Sequence, residues 1–250
     1  MPVKFNIALA NKVVGITACY DSVYCLCRDY LTDMPCDFHV AITDEDIQYE
    51  RNKAFRESAI GEKKDTDYPD SYLETLAVYR KIASAMLAYD TLLFHGSAIA
   101  VDGEAYLFAA KSGTGKSTHA RLWRELFGDR AVMVNDDKPL LQIADNRVYV
   151  CGTPWDGKHR QSSNAIFPLK AIAVLERDDT NHISRIDKKT ALPMLLQQSF
   201  RPGETEKLTR VLALIDRIGD YTALYRLGCN EQPDAATVSY YGMNEGDSKL

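Results

Sequence analysis

The chain has 250 residues, 46% of them hydrophobic and 26% charged, enough for one large domain or a core with a smaller appendage. Its formal net charge of −5 argues against a nucleic-acid partner, because phosphate-backbone binding needs a clustered basic surface and the nearest candidate is the short run Lys158-His159-Arg160. The N-terminus lacks the apolar run of a secretory signal, and the longest apolar stretches, such as AIAVL at 171–175, are about a quarter of the roughly 20 residues that span a bilayer. A cytoplasmic protein without a membrane partner is expected.

Residues 1 to about 67 read as short strands, FNIALA (5–10), VVGITA (13–18), VYCLC (23–27) and FHVAI (38–42). Four of the six cysteines, at 19, 25, 27 and 36, fall here without the paired spacing of a zinc ribbon. The polar stretch GEKKDTDYPDS (61–71) reads as a linker. Two regions are therefore expected: a β-rich accessory region over 1–70 and a larger domain over 71–250. A helix from Asp70 or Ser71 to about Tyr89 follows, its buried stripe made of Leu73, Leu76, Ala77, Ile82, Ala83, Met86 and Leu87.

Beyond it, TLLFHGSAIAV (91–101) and AYLFAA (105–110) read as strands joined by a turn at Asp102-Gly103. A helix over 116–127 ends at Gly128. AVMVN (131–135), VYVCG (148–152) and KAIAVLE (170–176) read as strands, 188–200 and 204–218 as helices, and 221–228 as a last strand. The mixture of one strand–loop–helix unit with hairpins argues for an α/β or α+β fold.

The strand–loop–helix unit carries chemistry. AYLFAA delivers the chain to a sheet edge. Ser112, Gly113, Thr114 and Gly115 are small enough to let backbone N–H groups converge on an anion. A helix then begins, so that its free N–H groups and dipole face that anion. The spacing matches a nucleotide phosphate loop (Walker A) in Gly115, Lys116 and Ser117. Lys116 would reach the β- and γ-phosphates and the Ser117 hydroxyl would ligate Mg²⁺, with Thr118 beside it. One position departs from the pattern: Ala110 stands where the first glycine is usual. A left-handed backbone there would cost alanine roughly 1–2 kcal/mol, whereas a strand-end conformation costs nothing.

One helix later, AVMVNDDKPL ends an apolar strand in Asn135, Asp136 and Asp137. Two adjacent carboxylates can divide the work of such a site, one holding Mg²⁺ and one accepting the proton of an attacking hydroxyl. The competing reading is a solvated turn. His95 sits in an apolar strand just before a glycine, a setting more often structural than catalytic.

Taken together, His95-Gly96, Ser112-Gly113-Thr114-Gly115-Lys116-Ser117 and Asp136-Asp137 resemble the HPr serine kinase/phosphorylase family and its relative, ATP-dependent phosphoenolpyruvate carboxykinase. GTPWDGK (152–158), Asn164, PLKAI (168–172) and LLQQSFRP (195–202) resemble a smaller subgroup of HPr-related serine kinases. The resemblance covers residues 90 to about 240 and leaves 1–70 unnamed. It implies a P-loop kinase core of the HPr kinase/PEP carboxykinase type, with ATP and Mg²⁺ as cofactors. It makes His95 a phosphate contact or proton partner, and the aspartate pair becomes the general base (Asp136) and metal ligand (Asp137). Lys158, as a cation, could steady the γ-phosphate, with Asn164 and Arg201 as weaker candidates.

The leading expectation is an ATP- and Mg²⁺-dependent kinase that phosphorylates a hydroxyl, of serine above all, on a peptide or small protein. The residues leave open a kinase of a free metabolite such as an amino acid or sugar, and a nucleotide-dependent peptide-binding module without catalysis. Phosphate removal in the same site and an oligomeric state are equally open.

Overall fold

The computed structural model describes residues 2–59, 67–157 and 160–245. Two compact units divide the chain, Met1–Ala85 and Met86–Leu250, so the helix that begins at Asp70 groups with the first unit and the division falls later than the expected 70/71.

The first unit is α+β and not mainly β. Strands β1 (Val3–Leu9) and β2 (Lys12–Ala18) form an antiparallel hairpin, and β3 (Phe38–Ala41) pairs parallel to β2. The stretch expected as a third strand, VYCLC, lies instead across helix α1 (Asp21–Leu26) and Cys27. Helix α2 (Asp44–Ala59), where no helix was expected, is held by charge: Arg80 of α3 (Asp70–Met86) pairs with Glu50 at 2.5 Å and Asp46 at 3.2 Å. Within α3, Leu73, Ala77, Val78 and Ile82 are buried as its apolar spacing requires. Glu74, also buried, accepts hydrogen bonds from the backbone N–H groups of Cys19 and Tyr20 just before α1.

The second unit is a three-layer arrangement around a mixed sheet. Its elements are β4 (Thr91–Leu93), β5 (Ser97–Val101), β6 (Glu104–Ala109), α4 (Lys116–Phe127), β7 (Ala131–Asn135), β8 (Leu140–Ala144), β9 (Arg147–Cys151), β10 (Ile166–Arg177), β11 (His182–Arg185), α5 (Lys188–Gln198), α6 (Thr205–Tyr221), β12 (Ala223–Cys229) and α7 (Asp234–Asn244). The strand order is β4-β8-β9-β10-β6-β5-β7, with β12 joined to β10 and β11 to β12. β10 organises the sheet. Its start pairs antiparallel with β9, while the rest runs parallel between β6 and β12.

Alternation along β6 feeds both faces, as a strand's period of two dictates. Ala105, Leu107 and Ala109 join a core with Leu195 of α5 and Leu214 and Ile218 of α6. Tyr106 and Phe108 join a second core with Trp123 of α4 and Met243 of α7. The expected hairpin at Asp102-Gly103 is present, both residues having positive φ (53° and 87°). The expected long strand over 91–101 is broken at His95-Gly96 into β4, which pairs with β8, and β5, which pairs with β6. That break lets the chain change partners beside the carboxylates. No helix among the described residues is long and apolar enough to cross a membrane.

Candidate functional site

The phosphate-type loop leaves the carboxyl end of β6 and enters α4 at Lys116. Ala110 is fully buried and keeps a negative φ, so the residue that departs from the glycine pattern sits unstrained at the strand's end. The left-handed conformations fall instead on Gly113 (φ 77°) and Gly115 (φ 120°), where a side chain would be strained. Gly115 is the N-cap of α4 and supplies no side-chain cap, which leaves the first N–H groups of the helix without a side-chain partner from the cap. Ser112 and Ser117 are exposed and Thr114 and Thr118 are half-buried around this turn.

Lys116 is largely buried and its Nζ donates to the Ala110 carbonyl at 2.8 Å. Burial lowers its pKa, and the charges of Asp137 and Asp136 act in the opposite direction. The lysine of the loop and the two aspartates therefore lie within electrostatic reach of one another, although one helix separates them in sequence.

The aspartates are presented by an Asn-centred turn. The buried Asn135 side chain accepts from the backbone N–H groups of Asp137 (2.8 Å) and Lys138 (2.6 Å), and its amide donates to the Thr153 carbonyl at 2.9 Å. Asp136 accepts a 2.6 Å hydrogen bond from the Ser97 hydroxyl, which the break before β5 aims at it. Asp137 lies 3.2 Å from His95 Nε2 and 2.9 Å from Lys138 Nζ. Burial raises the Asp137 pKa, but the His95 hydrogen bond and the Lys138 charge outweigh it and bring it down to about 2. Asp137 is thus an anion at any ordinary pH.

Residues 160–163 run beside this turn. Asp136 donates its backbone N–H to the Gln161 carbonyl at 3.2 Å, and Ser163 donates to the Val134 carbonyl at 3.2 Å. Asp156 accepts from the Ser162 hydroxyl at 2.9 Å. Burial is the main reason its pKa is raised; Ser162 opposes the rise and the charge of Asp137 adds to it.

Of the residues singled out from sequence, His95, Asp136, Asp137 and Lys116 come together, and Ser112 to Thr118 form one continuous turn into α4. Lys158 lies outside the described residues. Asn164 is exposed. Arg201 donates to the Gln197 carbonyl at 3.4 Å just past α5, the contact of a helix-end cap. Sequence reasoning missed Ser97, Asp156 and Arg177, and gave Asn135 no role. Arg177 Nη2 donates to the Gly113 carbonyl at 2.7 Å and so braces the loop from the end of β10. Only for Asp156, within a motif already noted, was there a local signal.

The site offers hard oxygen donors, the Ser117 hydroxyl and the carboxylates of Asp136 and Asp137. Among the described residues no three His, Cys, Asp or Glu side chains form a complete metal cage. Mg²⁺ needs none, since it binds through one or two protein oxygens and completes its shell with water and phosphate; the donor set fits that ion.

No protein-family model matches the chain, and no curated protein matches it. Among solved structures, the Hpr(Ser) kinase/phosphatase from Coxiella burnetii is similar with a TM-score of 0.39 and 9% sequence identity, covering 62% of this chain and 98% of that one. It is a distant structural neighbour, and at that level the likeness bears on neither ligand nor activity.

Proposed function

We propose that this chain is an ATP- and Mg²⁺-dependent phosphotransferase acting on a hydroxyl, of serine above all, in a peptide or small protein. The observation that carries the reading is the convergence of Lys116, at the head of α4, with Asp136 and Asp137. A cation aimed at phosphate oxygens and two carboxylates beside it are the parts that phosphoryl transfer to a hydroxyl requires.

In this reading the N–H groups of residues 112–117 and the α4 dipole hold the β- and γ-phosphates. Lys116 exchanges its bond to the Ala110 carbonyl for a phosphate oxygen. Ser117 and Asp137 would hold Mg²⁺, which offsets phosphate charge when bound. Asp136, oriented by Ser97, takes the proton of the acceptor hydroxyl as its oxygen bonds to the γ-phosphorus and the bond to the β-phosphate oxygen breaks. His95 fixes the Asp137 carboxylate from 3.2 Å and would contact the transferred group. Lys158 keeps the part the family resemblance gives it, a cation that would offset γ-phosphate charge. The first unit selects the acceptor.

The test is incubation with [γ-³²P]ATP and Mg²⁺ against free serine, serine peptides and a host lysate. Label on an acceptor is expected, and Asp136→Asn should reduce it by about 10²-fold or more while nucleotide still binds. Tight nucleotide binding without transfer to any acceptor would overturn the reading in favour of a binding module.

A further inference from the structure

Strand β7 ends the order of the large sheet, so its outer edge is open to an added strand. Residues 161–163 take that place. Ser162 forms an antiparallel bridge with Asn135, the Gln161 carbonyl accepts the Asp136 N–H at 3.2 Å, and Ser163 donates to the Val134 carbonyl at 3.2 Å. Arg124 of α4 donates to the Gln161 side-chain oxygen and holds the added strand from the other side. The next residue back, Arg160, is thereby fixed one peptide bond from the residue that pairs with Asp136.

Arg160 differs from the other cations near the site in two respects. Its backbone is left-handed (φ 50°), a conformation that a residue with a side chain rarely adopts and that concentrates where a ligand is held. Its side chain is exposed, and among the described residues it makes no hydrogen bond or ion pair. Its charge reaches the buried Asp156, whose carboxylate already accepts from Ser162 at 2.9 Å. The neighbouring cations are engaged: Arg124 on Gln161, Lys138 on Asp137 and Arg177 on the Gly113 carbonyl. A planar guanidinium that faces solvent beside the proton-accepting carboxylate lies where an acceptor hydroxyl must arrive. The partner its fork fits best is a carboxylate, gripped through two parallel N–H···O bonds.

We infer that Arg160 reads a carboxylate carried next to the acceptor hydroxyl, so that the substrate class is an acidic, serine-bearing molecule. The inference rests on the kinase reading above. It is a contact within the second unit and adds to the selection assigned to the first. Two sources supply the same chemistry: an aspartate or glutamate flanking the serine of a peptide, and the α-carboxylate of free serine.

Initial rates of transfer from [γ-³²P]ATP by the full chain test it. One arm compares serine peptides flanked by Glu with the same peptides flanked by Gln; the other compares free serine with serinamide. In at least one arm the acid is expected to exceed the amide by about tenfold or more in kcat/KM, carried by KM, which is the worth of a hydrogen bond between charged groups. The arm that shows the preference identifies the source. Arg160→Gln should bring the ratio close to one, Arg160→Lys should keep part of it, and Arg160→Glu should reverse it towards a Lys-flanked peptide. Acid and amide used equally by wild type in both arms overturns the inference and leaves the kinase standing. So does an Arg160→Gln protein that loses rate on every acceptor alike, since the arginine then only offsets Asp156. No label on any acceptor, acidic or neutral, brings down the kinase reading and this inference with it.

Discussion

Ser97 sits fully buried, and its hydroxyl spends its proton on Asp136. A carboxylate that must take a proton from a substrate gains from one lone pair being fixed, because the free oxygen then points at a defined place. Ser97→Ala is expected to lower kcat by about tenfold or more, a hydrogen bond to a charged group being worth about 1.5–3 kcal/mol, with little change in KM for ATP. Ser97→Thr, which keeps the hydroxyl, should restore most of the rate. Equal loss in both variants would mean that the serine merely fills space. His119 makes a different prediction at the same scale. Burial lowers its pKa to about 4 from an ordinary 6.5. Between those values the unfolded chain takes a proton that the folded chain refuses, so stability falls as pH drops from 6.5 towards 4 and levels off below. At about 1.4 kcal/mol per pKa unit the loss is a few kcal/mol. Urea unfolding of wild type and His119→Gln across that range should show the slope in the first and a flatter profile in the second.

The connector between β9 and β10 makes its prediction as an element. Gly152 accepts no side chain: a Cβ there would lie 1.8 Å from the Ser163 carbonyl oxygen and 2.8 Å from that of Val134. Both obstacles are backbone, so the connector itself would have to move, and it is the same segment that pairs with Asp136 through Gln161. Gly152→Ala is expected to cost about 2–4 kcal/mol in urea unfolding and to depress phosphate transfer, whereas Gly203→Ala, with open space around it, should do neither. The elements also show what was legible in advance. The hairpin at Asp102-Gly103, the GKS turn and the helix end at Gly128 were readable because each depends on neighbours in sequence. α2 was not: its buried positions are Ile47, Glu50 and Ala54, and a glutamate completes the stripe because Arg80 of another helix neutralises it. α1 was misread because VYCLC alternates over too few residues to separate a strand from one turn of helix. In the site, the loop and the aspartates were readable from spacing. Ser97 and Arg177 were not, since their partners lie 39 and 64 residues away and only sheet pairing brings them near.

At the scale of the whole chain, every described residue given a role in phosphate binding or transfer falls within Met86–Leu250. That unit packs both faces of its sheet with its own helices, α5 and α6 on one side and α4 and α7 on the other. A chain of that size with two internal cores meets the conditions for independent folding. Residues 86–250 produced alone are therefore expected to unfold cooperatively and to bind ATP within about threefold of the full chain, a difference of less than 1 kcal/mol. If the first unit selects the acceptor, the fragment should keep nucleotide binding and lose most labelling of a peptide acceptor. Retained labelling would assign acceptor choice to the second unit, where Gln161 flanks Asp136. A fragment that fails to fold would show that the sheet draws stability from the first 85 residues, and that the division into compact units is one of contact density and not of energetic independence.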